Sequence, residues 1–268
     1  MPETPYASIL YTEAADGIAR LTLNRPDKLN AFSDDMFCEI RSAIDRVEAG
    51  AAEGRIRVLV LTGAGRGFCA GADLASIDPA MLGEADLGTV LERDYNPLVL
   101  KLRSLPVPVL CAINGIAAGA GASLALAGDL VVAARSARFI LAFARIGLVP
   151  DAGATFFLPQ RIGKARAMGL AMLGEKIEAE TAERWGLIWE CIADAEFAAR
   201  VDTYATRLSV APTRALIATR ELLNLAETNS LVEQLAAERV KQAEAGRQPD
   251  FKEGVAAFRA KRPAVFNG

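Results

Sequence analysis

Apolar positions along this chain follow two periods, and the switching between them predicts alternating strands and helices. Ile18, Leu21 and Leu23 lie in a short β-like segment that ends at the turn signal Asn24-Arg25-Pro26-Asp27. Met36, Phe37, Ile40, Ala43, Ile44 and Val47 then recur at helical spacing behind Ser33, a favoured N-cap, so 34–48 reads as an amphipathic helix. Ile56 to Thr62 is a near-continuous apolar strand. Strand, helix, strand in this order implies βαβ units and a sheet covered on at least one face. The plan recurs: a polar stretch from Glu84 carrying Leu87, Val90, Leu91, Leu98 and Leu102 resembles a helix, and Val107 to Ile113 is the next strand. Gly119 to Ala127 reads as a helix of small residues, with strands following at Leu130–Ala133 and Arg138–Leu141. After Pro159 the pattern is helical throughout: Lys164–Leu173, Ala179–Trp185, Glu196–Ser209, Pro212–Ala226, Ser230–Ala245 and Phe251–Lys261. Apolar stripes beyond the needs of one core suit such a layer to self-association.

Two runs of small residues interrupt the first half: Gly67-Phe68-Cys69-Ala70-Gly71-Ala72-Asp73, and Asn114-Gly115-Ile116-Ala117-Ala118-Gly119-Ala120-Gly121-Ala122-Ser123. Each follows a predicted buried strand. Without bulky side chains, backbone N–H groups can approach a ligand closely, and two converging on one oxygen can hold a developing negative charge. The same runs could also be tight helix–sheet packing points. Their repetition after consecutive strands, beside an Asp, favours an oxyanion hole. The chain contains no histidine, which removes Ser-His-Asp, Cys-His and His-ligated metal chemistries and leaves backbone dipoles and carboxylates.

Composition narrows the class further. At 268 residues and 52% apolar content the chain can bury a sizeable α/β core. A net charge of -3 without a dense basic tract argues against nucleic acid as a partner. Cys38, Cys69, Cys111 and Cys191 are widely spaced without a CxxC pair, which suggests buried thiols in a reducing cytoplasm. The N-terminal residues lack a basic start and long apolar core, so no secretory signal is expected. Val107 to Ala134 is very apolar, but Asn114, Asp129 and several glycines interrupt it, so it reads as buried core and no membrane span is expected.

Four motifs in order carry a family resemblance: Asn24-Arg25-Pro26 with Leu29-Asn30-Ala31, Gly67 through Leu74, Ile113-Asn114-Gly115, and Gly128-Asp129. Together they resemble the crotonase, or enoyl-CoA hydratase/isomerase, superfamily over nearly the whole chain. The resemblance implies an α/β spiral of ββα units over 1–200 containing the oxyanion hole, and a C-terminal helical trimerisation region over 201–268. It implies an acyl-CoA thioester as ligand, with coenzyme A as the substrate's carrier and no other cofactor or metal. By position, the N–H groups of Ala72 and Ala120 would receive the thioester oxygen. Lys28 and Leu29 would lie along the CoA nucleotide, and Ala70, Asp73 and Leu74 would frame adenine and pantetheine. Ala31, Gly71, Ile116, Gly119, Ser123 and Phe143 would be further substrate-binding residues. A homotrimer or dimer of trimers is implied, and Phe258 and Lys261 would reach CoA from a neighbouring subunit, or simply finish the last helix. Lys28 reads equally as a solvated turn lysine, Tyr95 as an acyl-pocket wall or a structural tyrosine. Trp185 and Trp189 read as core or interface.

The chain departs from the hydratase pattern where it matters most. The two glutamates that handle water in hydratases of the superfamily align with Ser123 and Phe143, and neither is an effective acid–base group. The remaining candidate is Asp151, within Gly147-Leu148-Val149-Pro150-Asp151-Ala152-Gly153-Ala154. An Asp in an apolar stretch can be desolvated into a useful range. It can equally be an N-cap for a helix starting near Ala154. This segment, with Glu92 to Leu98, Lys164 to Leu170 and Phe258 to Pro263, resembles the branch that converts ring-epoxidised phenylacetyl-CoA to its oxepin isomer. That branch implies an isomerase acting in phenylacetate breakdown, able also to shift a double bond from the 3 to the 2 position. An enoyl-CoA hydratase, which would be a lyase of fatty acid metabolism, is the alternative reading. A non-catalytic acyl-CoA-binding subunit is the second alternative.

Overall fold

The computed structural model describes residues 6–74 and 86–266. Two sheets organise the chain, and the strands between residues 58 and 140 alternate between them. The larger has the order β1 (Ile9–Glu13), β2 (Ile18–Leu23), β3 (Val58–Gly63), β5 (Val109–Ile113), β7 (Leu130–Ala134) and β10 (Glu190–Ile192). The smaller has β4 (Gly67–Cys69), β6 (Ile116–Ala118), β8 (Arg138–Ile140) and β9 (Lys176–Glu178). Every pairing is parallel except β1 with β2 and β8 with β9. Parallel strands need a crossover, and helices supply it. After β3 and β4 come α2 (Leu87–Val90) and α3 (Asn96–Ser104), after β5 and β6 comes α4 (Ala120–Leu126), and after β7 and β8 comes α5 (Ala154–Leu173). This is the expected spiral of ββα units.

The expected strands and helices are found with shifts of a few residues at their ends. The first helix, α1 (Asp34–Ala52), is capped by Ser33, whose hydroxyl accepts the Met36 N–H. The helix expected from Glu84 begins outside the described residues. Within them it runs from Leu87 to Ser104, with a π-helical turn over Leu91–Tyr95. α5 starts before the expected Lys164, holds Pro159 inside it and is interrupted at Gly163, where φ 75 and ψ 158 leave helical space. The strands β1, β4, β6, β9 and β10 were not anticipated. Four of them are only three residues of a small-residue or mixed pattern, too short to show a period.

One core lies on the α1 and α3 side of the large sheet and continues into the small sheet. The opposite face is covered by α7 (Phe197–Ser209), whose Val201, Tyr204 and Ala205 pack on Val58, Val60, Leu110 and Val132. A boundary at residue 200 therefore falls inside a helix bound to the sheet, because α7 is needed to bury that face. α6 (Ala179–Trp185) precedes β10. The chain ends in α8 (Thr213–Leu225), α9 (Leu231–Ala245) and α10 (Pro249–Ala260), which leave Leu223, Leu231, Val232, Leu235, Phe251 and Phe258 exposed. The cysteines divide: Cys69 and Cys111 are buried, but Cys38 is exposed and Cys191 half-buried, because their apolar neighbours belong to other faces of the same elements.

Candidate active site

The two small-residue runs meet. A side chain built on Gly71 would place its Cβ 2.9 Å from the Ala118 carbonyl and 3.2 Å from the Ala120 nitrogen, so the β4 and α4 segments approach at backbone distance. Gly119 has φ 52 and ψ -131, a conformation open in practice to glycine alone, and it turns the chain from β6 into α4. The first bond into α4 comes from the Ser123 N–H to the Gly119 carbonyl. Ala120, as the first helical residue, therefore has an N–H without an intrahelical acceptor. On the facing segment, the chain on either side of Ala72 is tied down. The Phe32 N–H donates to Gly71 and the Asp73 N–H to Phe32.

Side chains that the motif reading left without a role hold this frame. Asn30, fully buried and left-handed at φ 57, donates from Nδ2 to the carbonyls of Ala64 and Gly67 and accepts the Arg25 N–H. Asn114 accepts the Gly63 N–H and donates to Gly65 and Gly67. Arg25 donates to the Ala31 carbonyl and pairs with Asp73 at 2.8 Å. The Ala70 N–H donates to Leu29, whose side chain lies beside Gly67. The motif asparagines and Arg25 are therefore braces for the loops, a role their spacing marked but did not explain.

Asp151 follows Pro150 and an exposed Leu148-Val149 pair. It does not cap α5. Ala152 (φ 47) and Gly153 (φ 84) are both left-handed, Gly153 occupies the N-cap position, and only the Asp151 carbonyl accepts, from the Ala154 N–H. The carboxyl oxygen Oδ1 is buried without a hydrogen-bond partner. Burial pushes the Asp151 carboxyl up to about 6, against a weaker opposing pull from its own backbone N–H.

The neighbours are aromatic and weakly polar. Phe143 is buried with its ring edge toward Gly119. The Ser123 hydroxyl donates to the Gly119 carbonyl at 3.3 Å, so it is occupied by the helix. Tyr95 is buried, clamped edge-on by Phe32 and Phe37, and its phenol is pushed up by burial and then by the Asp151 charge. Asp94, next to it, is held by Arg41 at 3.0 Å and Arg93 at 2.7 Å. Ile116 lies half-buried in β6. Leu74 and Lys28 are exposed, and Phe258 and Lys261 stand on the exposed end of α10, Lys261 left-handed at φ 51. The Leu74 N–H donates to the Ala72 carbonyl at 2.9 Å. Trp185 packs on the core, whereas Trp189 is largely exposed and donates to the Tyr204 hydroxyl. Among the described residues no group of three acidic, thiol or imidazole side chains could hold a metal ion, and no helix is long and apolar enough to cross a membrane.

Known proteins share this sequence pattern and fold. The family model for enoyl-CoA hydratase/isomerase matches residues 13–268. The chain is 51% identical to the 1,2-epoxyphenylacetyl-CoA isomerase of Escherichia coli, over 94% of this chain and 95% of that one. It is 48% identical to a protein of Rhodobacter capsulatus named a probable enoyl-CoA hydratase, over 98% and 99% of the two chains. The crystal structure of an enoyl-CoA hydratase from Bacillus anthracis superimposes with a TM-score of 0.89 at 28% identity, covering 98% of this chain and 100% of that one. With the two-sheet spiral and the apposed small-residue runs already described, these matches establish that the chain belongs to the enoyl-CoA hydratase/isomerase family.

Proposed function

We propose that the protein is an acyl-CoA isomerase that works through a thioester enolate, with Asp151 as its single acid–base group. The thioester oxygen accepts from the N–H groups of Ala72 and Ala120, each worth roughly 3 to 4 kcal/mol once charge develops on that oxygen. The Asp151 carboxylate removes a proton from C2, the oxyanion donors carry the dienolate, and the protonated Asp151 returns a proton at C4. A 3-enoyl thioester thereby becomes the 2-enoyl isomer, with no net gain or loss of atoms or electrons. The chemistry calls on no metal or redox cofactor, coenzyme A serving as the carrier.

The observation that carries this reading is the buried, unpartnered Oδ1 of Asp151, raised toward neutrality. A second carboxylate to direct water is missing from the two positions where a hydratase has one. Ser123 is spent on a helix carbonyl and Phe143 has no proton to exchange. The 51% identity to an epoxyphenylacetyl-CoA isomerase extends the proposal to ring epoxides of phenylacetyl-CoA, hence to phenylacetate catabolism in the cytoplasm. The exposed apolar residues of α8 to α10 support a homotrimer or dimer of trimers, and the division between spiral core and oligomerisation helices is proposed with them. In that assembly Phe258 and Lys261 would meet CoA bound to a neighbour, while Lys28, Leu29, Ala31, Ala70, Gly71, Asp73 and Leu74 would follow it within one subunit.

Asp151→Asn, which keeps the shape and loses the base, tests the reading. Double-bond migration in a 3-enoyl-CoA should cease while binding of the CoA ester persists; full activity in the variant would overturn it. Hydration of crotonyl-CoA, followed by loss of absorbance of the conjugated thioester, should be slow in the wild type. Fast hydration would restore the hydratase reading. The absence of proton exchange at C2 of a bound thioester would favour a binding subunit.

A further inference from the structure

The two sides of the proposed site stand on different helices: Ala120 opens α4, and Asp151 lies three residues before α5. The contact between these helices is apolar, with Ala122 and Leu126 of α4 and Leu158 and Leu170 of α5 lining a shared small gap. Apolar contact is non-directional, so it does not by itself fix register. Arg161 adds what is missing. Its Nη2 donates to the carbonyls of Leu126 at 2.7 Å and Gly128 at 3.1 Å, where α4 ends, and its Nη1 donates to Leu187 at 3.1 Å. Leu126 is the last residue of α4, where carbonyls lack intrahelical donors, Gly128 lies two residues beyond it, and a planar guanidinium sets angle as well as distance.

Two features make this anchor bear on Asp151. Non-helical geometry at Gly163 separates the first segment of α5 from the rest of the helix, so Arg161 is that segment's own polar attachment to α4. Between Asp151 and this segment lie only Ala152 and Gly153, and the Ala154 N–H closes the turn onto the Asp151 carbonyl at 3.0 Å. A shift of the segment is thus passed directly to the carboxyl.

We propose that Arg161 is a positioning residue for the reaction: by binding the end of α4 it fixes the distance between the Asp151 carboxyl and the thioester held at Ala72 and Ala120. The inference rests on the isomerase reading and has its own readout. In D2O, deuterium exchange at C2 of recovered 3-enoyl-CoA is measured beside formation of 2-enoyl-CoA. The ratio of the two rates reports where the carboxyl stands between C2 and C4, and it is independent of how much enzyme is folded. In Arg161→Gln this ratio should change about tenfold and kcat should fall about 100-fold, as for a misplacement of about 1 Å, with KM for the thioester within about threefold of wild type. Arg161→Lys keeps the charge but not the fork, should change the ratio by about threefold, and decides the matter if Arg161→Gln does not fold. An unchanged ratio, with kcat falling only as the folded fraction falls, would make Arg161 a stabilising residue alone and overturn the proposal. Failure of the wild type to form 2-enoyl-CoA would remove the isomerase reading, and this inference with it, before any variant is compared.

Discussion

In the proposed site the working atoms on the α4 side are two backbone nitrogens, and those on the α5 side are the oxygens of one carboxylate. The first side is made of small residues, buried at Gly71 and Ala120 and exposed at Ala72, and braced by Asn30, Asn114 and Arg25; its requirement is that side chains be small enough for backbones to meet. The second side depends on the identity of a single side chain, and its surroundings need only exclude water and withhold hydrogen bonds. The difference teaches where mutation should hurt. Added bulk or altered backbone damages the α4 side, while loss of a functional group damages the α5 side.

Asp151→Asn should break the comparison most severely if it is correct, lowering kcat by about 100- to 10,000-fold with KM little changed. Gly119→Ala should come next. The φ and ψ of Gly119 suit glycine alone, so an alanine moves the Ala120 N–H, and the loss of one oxyanion donor costs about 100- to 1,000-fold in kcat. Space is not the obstacle, because the added Cβ would lie 3.9 Å from its nearest neighbour in Phe143. A fully active Gly119→Ala enzyme would show that backbone geometry there is not limiting.

Acidity gives two further checks on the α5 side. With the Asp151 carboxyl pushed up to about 6, kcat/KM should fall about tenfold per pH unit below that value, since the base must be ionised. A flat profile between pH 5 and 8 would exclude this base. The same shift has a stability consequence. Because the folded value lies above the ordinary carboxylate value, protonation favours the folded state, so stability from this group rises as pH falls through about 6 toward 4. At neutral pH the charged carboxyl therefore costs stability. Asp151→Asn should melt at a higher temperature than wild type at pH 7.5, and the gap should close near pH 4.

The smallest effect is expected at Ser123. Among the described residues its hydroxyl bonds only the Gly119 carbonyl, which also accepts the Ser123 N–H, so Ser123→Ala should leave kcat within about threefold and cost about 1 kcal/mol of stability or less. Loss of activity in that variant would mean that the α4 side uses a side chain after all.

The repeated strand–helix plan, the N-cap at Ser33 and the two small-residue runs were legible because each is a local pattern: a period, a cap or a lack of bulk. β4 and β6 were not, because three residues cannot display a period and their pairing partners lie far along the chain. α5 was read short because Pro159 looked like a boundary, whereas the helix accommodates it early and breaks instead at Gly163. Arg161 carried no signal. A lone arginine between Gln160 and Ile162 acquires meaning only when α4 ends within reach of it.

Asp151 marks the division most clearly. From the sequence came the proposed chemistry: there is no histidine, and the family resemblance puts serine and phenylalanine at the two hydratase positions and makes Asp151 the candidate acid–base group. Whether that aspartate capped a helix or stood free was a tertiary decision. It turned on two left-handed residues after it and on the burial of Oδ1, because a carboxyl's acidity depends on solvent exclusion by residues distant in the chain. The oxyanion runs divide in the same way. Their small side chains are written in the sequence, but the backbone approach of Gly71 to Ala120 exists only once β4 and β6 are paired.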